Sequence, residues 1–423
     1  MSRLKEFIRN LLPRSTYRAI VSPYHAAWTF ASAVRYGFPA KKLTVIGVTG
    51  TKGKSSVTEM ITAVLEEAGY TVAVSSTIHF KIGKTVRPNL YKMTLPGRGF
   101  IQKFLHEAVD AGATHAVIEL TSEAAVQYRH LFLSLNALVF TNLEKEHIES
   151  HGSMENYFKA KYRLGQSLAR SSKRPRAIVA TSEGEYGKRF LALPVEERIP
   201  FALSDAQDIV LSPDGVAFLY KDVPVTLPHP GNFSVRNALA AIKVGEFLKI
   251  PIKTSASALA SLARIPGRAE RIEAGQDFLA VVDYAHTPNS LQALYGAYSS
   301  KRKICVLGNT GGGRDTWKRP EMGRIADEAC DAVILTDEDP YDEDPEKILN
   351  EMAAGMKRAP NIILDRREAI RTALRMAKRG DAVLISGKGT DPYIMQAHGA
   401  KTPWSDAQVV REELEKLNAE LVS

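Results

Sequence analysis

Seven consecutive residues, Gly50-Thr51-Lys52-Gly53-Lys54-Ser55-Ser56, have the types and order that close around a phosphate. Glycines without side chains let backbone N–H groups converge on an anion, and a helix starting at such a loop adds favourable partial charge. Lys54 is then placed to reach the terminal phosphates, and the Ser55 hydroxyl to ligate Mg²⁺. The spacing is a variant, because the position of the general pattern's first glycine holds Val48, with Gly47 one place early. A Mg²⁺-nucleotide site also needs a carboxylate in the metal's oxygen shell, and Glu119 ends an apolar run. Asn142 follows a second such run and His147 comes soon after it. A lone histidine of this kind is more often structural than a ligand. Lys161, taken by residue type alone, is a solvated charge on a helix.

The elements that must hold these groups are readable around them. Leu43–Val48 is a buried strand, and Val57, Met60, Ile61, Val64 and Leu65 make one face of a helix that Gly69 can end. Ala116–Leu120 and Ala137–Phe140 read as further strands, Asn156–Ala169 as a helix, and Ala177–Ala180 as a short strand. This alternation predicts a mostly parallel sheet with its ligand beyond the carboxyl ends of the strands. Residues 200–228 read as a small antiparallel excursion with turns at Pro213-Asp214-Gly215 and Lys221-Asp222, followed by an alanine-rich helix over 231–248. A boundary fits near Ile265-Pro266-Gly267. Beyond it a second α/β unit is expected, with strands at Phe278–Val282, Lys303–Leu307, Ala332–Leu335, Ile362–Leu364 and Ala382–Ile385.

The chain has 423 residues, 44% hydrophobic and 24% charged, the make-up of an ordinary globular protein of two or three domains. The net charge of +9 comes with no recognised nucleic-acid motif and is accounted for by spread cations that hold phosphorylated and carboxylate-rich small molecules, plus a basic N-terminus. No apolar run is long enough to span a bilayer, and residues 1–13 are not a secretory signal. They place Leu4, Phe7, Ile8, Leu11 and Leu12 at helical spacing among Arg3, Lys5 and Arg9. A basic amphipathic helix is expected there and a second helix over His25–Tyr36, with peripheral membrane contact as one role. Cys305 and Cys330 form no metal-ligand spacing and are expected to be inert core thiols of a cytoplasmic protein.

The motifs GVTGTKGKSS, MTLPG, IELTSEAAVQYR, FTNLEKEHIESHG, KAKYRL, PGNFSVRNALAA, IPGRAERI, VVDYAHTPNSL, GGGRDTWKRPEMG and LISGKGTD occur in this order. Together they resemble the Mur ligases, nearest the type (MurE) that adds the third residue of the peptidoglycan stem peptide, over about residues 41–415. The resemblance implies a short N-terminal segment (1–40), a P-loop ATPase domain (41–266) and a smaller Rossmann-like α/β domain (267–423). It implies ATP and two Mg²⁺ ions, with Ser55, Glu119, His147 and a carbamylated Lys161 around the metals. Gly50, Thr51, Lys52, Gly53, Lys54, Ser56, Asn142, Asn237, Arg268, Asp283 and His286 match ATP-side positions. Thr94, Thr121, Ser122, Gln127 and Arg129 fall where this type holds its uridine-nucleotide sugar peptide, and an arginine's planar fork suits a carboxylate or phosphate there. The implied reaction phosphorylates the acceptor's carboxylate and then lets an amine displace phosphate, in peptidoglycan precursor synthesis by a monomeric cytoplasmic ligase. A folylpolyglutamate synthase-like ligase and a silent Mur-like subunit of an amidotransferase are the competing readings.

Three departures from the pattern stand out. About 40 residues precede the phosphate strand, too few for the separate uridine-diphosphate domain usual in this type. The amino-acid loop reads Asp337-Glu338-Asp339-Pro340-Tyr341, with Tyr341 where diaminopimelate enzymes carry an arginine. The acids Glu338, Asp339 and Asp342 lean towards a terminal ammonium such as that of L-lysine, although Arg366 or Arg367 could replace the missing grip. Finally, a Gly-Lys-Gly-His-Glu pattern becomes Gly387, Lys388, Gly389, Thr390, Asp391, in which Asp391 keeps a charge for the incoming ammonium, and a Ser-Ser-His becomes Thr121, Ser122, Glu123.

Overall fold

The computed structural model describes residues 14–97, 99–146, 151–313 and 315–422. The expected helix over residues 1–13 and His147 lie outside the described residues. The chain forms two compact units. One takes the chain to Leu143, Met154–Ala202 and Ala240–Pro251; the other takes Glu144–Ser153, Leu203–Leu239 and Ile252–Ser423.

The first unit carries helix α1 (Arg14–Arg35), then strand β1 (Thr44–Thr49), helix α2 (Lys54–Glu67) and strands β2 (Val72–Ser75), β3 (His79–Ile82) and β4 (Thr85–Pro88). Helix α3 (Phe100–Asp110), β5 (His115–Glu119), α4 (Ser122–Val126), β6 (Ala137–Phe140), α5 (Met154–Ala169), β7 (Ala177–Thr181), α6 (Glu185–Leu191) and β8 (Glu197–Phe201) follow. The sheet order is β4-β3-β2-β5-β1-β6-β7-β8. Pairing is parallel from β2 to β8, and the β2–β3 and β3–β4 pairs are antiparallel, so β3 alone runs against the other strands. β1 lies between β5 and β6, where strand order reverses, so the loop after β1 opens at the crevice such sheets use for ligands. The expected apolar face of α2 is buried, and Gly69 (φ 85°) ends the helix by donating its N–H to the Glu66 carbonyl.

In the second unit, β9 (Gln207–Ser212), β10 (Gly215–Tyr220) and β11 (Val223–Leu227) form the antiparallel excursion. Lys221 and Asp222 both take positive φ in the two-residue turn between β10 and β11, the geometry that matches strand twist. After α7 (Asn232–Phe247) and α8 (Ile252–Ser261) comes a six-stranded sheet, order β12-β13-β17-β14-β15-β16. Its strands are β12 (Glu270–Ile272), β13 (Leu279–Asp283), β14 (Lys303–Leu307), β15 (Ala332–Leu335), β16 (Asn361–Ile362) and β17 (Ala382–Ser386). All pairs are parallel except β12–β13. Helices α9 (Pro288–Ala297), α10 (Lys318–Ala329) and α11 (Pro345–Ala353) share one core with Ala382 and Leu384 of β17. Helices α12 (Arg366–Met376) and α13 (Asp406–Val422) share the other with Val383 and Ile385. Alternate β17 side chains thus feed opposite cores, so a sheet covered on both faces reads as an unbroken apolar run. A hairpin of β18 (Tyr393–Met395) and β19 (Lys401–Pro403) precedes α13.

The cysteines depart from expectation. β14 and the end of α10 bring Cys305 and Cys330 to a Cα separation of 6.2 Å, within reach of a bridge, and they are disulfide-bonded rather than free thiols. No described helix is long and apolar enough to cross a membrane.

His79, His115, His130 and His229 are each pushed down to about 4 from an ordinary 6.5, with burial the largest cause. A histidine whose folded value is lowered contributes stability that is complete above 6.5 and is lost as pH falls towards 4. Neither ring nitrogen of buried His229 has a hydrogen-bond partner among the described residues. His229→Leu should therefore reduce the loss of unfolding free energy between about pH 7 and about pH 4.5 by about 2 kcal/mol, measured by urea unfolding. An unchanged pH dependence would contradict the burial of a neutral imidazole.

Candidate active site

The loop between β1 and α2 is built on register. Val48 pairs with Glu119 of β5 and Thr49 with Phe140 of β6, so Gly50 emerges beside Thr141. A Cβ on Gly50 would stand 1.9 Å from Thr141 Oγ1, and φ is 148°, so only glycine fits this turn. The loop is then braced from β6. Asn142 Oδ1 accepts the Lys52 N–H at 2.9 Å while its Nδ2 donates to the Lys52 carbonyl at 3.2 Å. The Thr141 hydroxyl donates to the same carbonyl at 2.6 Å. Asn142 therefore spends its side chain on holding the loop. Gly53, in left-handed conformation, hands the chain to α2 at Lys54, whose Nζ donates to the Thr51 carbonyl at 2.9 Å.

Ser55, on the first turn of α2, donates its hydroxyl to Glu119 Oε2 at 3.0 Å, and the same oxygen accepts the Thr77 N–H at 2.9 Å. The Thr77 hydroxyl lies 2.8 Å from that of Thr94. A hydroxyl and a carboxylate side by side at a phosphate loop are the hard oxygen donors that Mg²⁺ takes together with substrate phosphates. The described residues contain no cluster of three His, Cys, Asp or Glu set to hold a metal by themselves.

Lys161 corrects the reading from residue type. It is 2% exposed, projecting from α5 so that Nζ donates to the Gly50 carbonyl at 2.7 Å and lies 4.7 Å from the Tyr157 ring centre. The Tyr157 hydroxyl is 3.3 Å from that of Thr51, so α5 touches the loop twice.

The expected acceptor residues stand nearby in sequence but have internal duties. Thr121 caps α4, accepting the Ala124 N–H at 3.1 Å, and Ser122 is buried. Gln127 donates to Glu123 at 2.8 Å. The Arg129 fork, expected to face a substrate anion, donates instead to the Leu95 carbonyl and Gln127 Oε1, tying down the Met93–Gly97 loop. Burial lowers this guanidinium's pKa, the Glu123 charge opposes the shift, and Nε has no partner among the described residues.

In the second unit the residues gather at the carboxyl ends of the parallel strands. Asp283, ending β13, accepts the Ala269 N–H at 2.6 Å and the Ala285 N–H at 2.7 Å. His286 bonds the Tyr284 carbonyl at 2.6 Å through Nδ1 and Glu146 Oε1 at 2.9 Å through Nε2. Arg268 lies over the Tyr284 ring at 4.6 Å, and Asn237 is buried on α7. Glu338, 3% exposed, accepts the Thr310 hydroxyl on Oε1 at 2.9 Å, while Oε2 has no partner among the described residues and faces Gly387, where a Cβ would come within 2.3 Å. Burial raises the Glu338 pKa, and the Lys388 charge opposes the shift.

Lys388 was quoted in a motif but given no role, and it proves central. Its buried Nζ donates to Asp339 at 2.9 Å and to the Tyr393 carbonyl at 2.6 Å, and lies 3.4 Å from Asp391. Asp339 also accepts the Met395 N–H at 2.7 Å, so it is neutralised in place rather than open to an incoming ammonium. Asp391 shares the same cation. Burial works against the Lys388 charge, but Asp391 and Asp339 outweigh it and raise the pKa. Arg366 is spent on Asp406 at 2.8 and 2.7 Å, and Arg367 on Glu412 and Glu413, so neither replaces the arginine absent from position 341. Arg319, also missed, is fully buried and binds Glu343 at 2.7 and 2.9 Å and Glu351 at 2.7 Å. Only spatial pairing reveals these roles, because Lys388–Asp339, Arg366–Asp406, Arg367–Glu412 and Glu413, and Arg319–Glu343 and Glu351 all join residues more than twenty apart in sequence.

Lys388→Met should leave Asp339 with its carboxylate buried and unpaired by charge, costing about 3–5 kcal/mol in urea unfolding. A loss below about 1 kcal/mol would mean that the pair contributes no more than a surface ion pair does.

Residues 48–245 match the Mur ligase middle domain and residues 267–389 the Mur ligase glutamate ligase domain. A UDP-N-acetylmuramoyl-L-alanyl-D-glutamate–2,6-diaminopimelate ligase of Caldanaerobacter subterraneus is 36% identical over 409 residues, covering 93% of this chain and 82% of that protein. A UDP-N-acetylmuramyl-tripeptide synthetase of Roseiflexus is 36% identical, covering 91% of this chain and 81% of its own. A solved diaminopimelate ligase overlays with a TM-score of 0.62 at 29% identity, covering 89% of this chain and 79% of that one. The Mycobacterium tuberculosis folylpolyglutamate synthase overlays with a TM-score of 0.71 at 16% identity, covering 86% and 92%, a likeness of fold alone. With both units matched and relatives this similar over nearly the whole length, the chain belongs to the Mur ligase family of ATP-dependent ligases.

Proposed function

We propose that the protein joins an amino acid to a UDP-N-acetylmuramoyl-dipeptide-like acceptor at the expense of ATP, in peptidoglycan precursor synthesis. The observation that carries this reading is the braced phosphate loop with Ser55 on Glu119 at 3.0 Å. The relatives' names supply the acceptor class. Loop N–H groups and Lys54 bind the nucleotide phosphates; Asn237, Arg268, Asp283 and His286 are assigned to ATP by their match to the family's motifs alone. The chain Glu119–Thr77–Thr94 ties the metal carboxylate to the acceptor loop.

The acceptor carboxylate attacks the γ-phosphorus and ADP leaves. The amine nitrogen then attacks the resulting acyl carbon, and the tetrahedral adduct expels phosphate to leave an amide. Ser55 and Glu119 would hold one Mg²⁺; Lys161, after its amine adds CO₂ and releases a proton, would hold a second together with His147. Bound there, the ions would offset the negative charge that builds up on phosphoryl oxygens.

A diamino acid is the proposed nucleophile. The relatives' names favour 2,6-diaminopimelate, whereas Tyr341 and the committed arginines favour one without a distal carboxylate, such as L-lysine. Glu338, whose Oε2 has no partner among the described residues, is the carboxylate best suited to a second ammonium. The reading takes the enzyme to work as a monomer in the cytoplasm, where ATP is supplied. The reading also includes membrane contact by the basic N-terminal segment.

Phosphate release should require acceptor and amino acid together, and Glu119→Gln should lower kcat about 10²–10³-fold. A mass-read screen of L-lysine, meso-diaminopimelate, L-ornithine and L-glutamate should give product with a diamino acid; L-glutamate alone as substrate would overturn that choice. Lys161→Ala should lose turnover and regain part of it with added acetate or formate. Normal turnover would remove the carbamate.

A further inference from the structure

Helix α1 is amphipathic the wrong way round for a helix that only packs on its own protein. Between Tyr24 and Arg35 its buried positions are small or polar: Thr29, Ser32 and Ala33. The two hydroxyls turn back onto their own helix, Thr29 to the His25 carbonyl at 2.9 Å and Ser32 to the Trp28 carbonyl at 2.8 Å. The large apolar residues point outward instead, with Tyr24 39%, Trp28 47%, Phe30 52% and Val34 53% exposed. At a helical step of 100° per residue these four, with exposed Ala27 and Ala31, span one arc of about 160°, into which Arg35 of the last turn also falls. Phe30 sits at the edge of the arc, its ring 5.7 Å from that of Phe132.

Exposed cations stand at the C-terminal end of this face, in a stretch of sequence that is strongly basic. Residues 1–42 hold eight Lys and Arg against a single acid, Glu6, a net of +7 within a chain total of +9. Arg35, Lys41 and Lys42, at the end of α1 and just beyond it, are exposed. The acids of neighbouring α3 are already engaged, Glu107 with Arg87 and Lys103, and Asp110 with His106. An outward arc of Trp, Tyr, Phe and Val with exposed cations at its C-terminal end suits a surface that is apolar within and anionic outside. Nucleic acid would satisfy the cations and the rings but leave the aliphatic positions wet.

We propose that the outward face of α1, together with the basic residues around it, docks the protein on an anionic lipid bilayer, lying in the headgroup layer without spanning it. The inference is independent of which amino acid the enzyme adds. Ligase chemistry on a soluble acceptor does not require it, so activity in solution and lipid binding separate cleanly.

The test is co-sedimentation of the full chain with phosphatidylcholine vesicles, with and without phosphatidylglycerol. Binding is expected only with the anionic lipid, and added salt should weaken it. Trp28→Ala/Val34→Ala and, separately, Arg35→Glu/Lys41→Glu/Lys42→Glu should each reduce binding about tenfold or more while thermal unfolding and ATP turnover in solution stay unchanged. The proposal fails if anionic vesicles do not bind the chain, or if binding ignores both variants. It also fails if the Trp28→Ala/Val34→Ala pair instead abolishes self-association or retention of a single-stranded oligonucleotide, either of which would assign the face to another partner.

Discussion

The close approach of Gly50 to Thr141 is the constraint on which the nucleotide end of the protein depends. Parallel register delivers the end of β1 against the end of β6, and no side chain can intervene there. Once the backbone is that close, Thr141 and Asn142 bind the Lys52 peptide on both sides, and Lys161 closes over the Gly50 carbonyl from α5. The loop's shape is thus imposed by strands and helix before any ligand arrives. Such preorganisation is what lets backbone dipoles act on a phosphate without reorganising.

The second unit solves a similar problem with charge. Its loops converge at strand ends, where burial removes water, so each carboxylate needs a counterpart. Lys388 supplies one for Asp339 and Asp391, Arg366 for Asp406, and Arg319 for Glu343 and Glu351. Glu338 differs: its Oε2, which has no partner among the described residues, lies against Gly387. A buried, half-satisfied carboxylate costs stability, and such costs are commonly retained where a ligand will be met.

Much of this organisation was legible in the sequence because it repeats over short distances. The strand, glycine loop and helix around Lys54 lie within thirty residues, and β6, β14 and β15 have the expected limits because apolar runs bounded by polar residues mark them. The paired strands β2 to β4 were not read: β3 is only partly buried and β4 is exposed throughout, so neither shows as a bounded apolar run. Lys161 misled for another reason: residue type favours solvent, and only the packing of α5 on the loop decides otherwise. Arg129, Asp339, Arg366 and Arg367 were expected to await a ligand, whereas distant partners already hold them. The bond between Cys305 and Cys330 was hidden likewise, because a strand and a helix end twenty-five residues apart set their distance.

The segment around Tyr341 is pinned on both sides, at Asp339 by Lys388 and at Glu343 by Arg319, while Tyr341 itself takes a positive φ of 55° and donates its N–H to the Met395 carbonyl. Its backbone path is therefore set by neighbours rather than by the side chain at its crest. A lineage could exchange that one side chain, and with it the preferred nucleophile, without rebuilding the mount that carries it. Selectivity here would drift by single steps, and kinship in the scaffold would say little about the amino acid chosen.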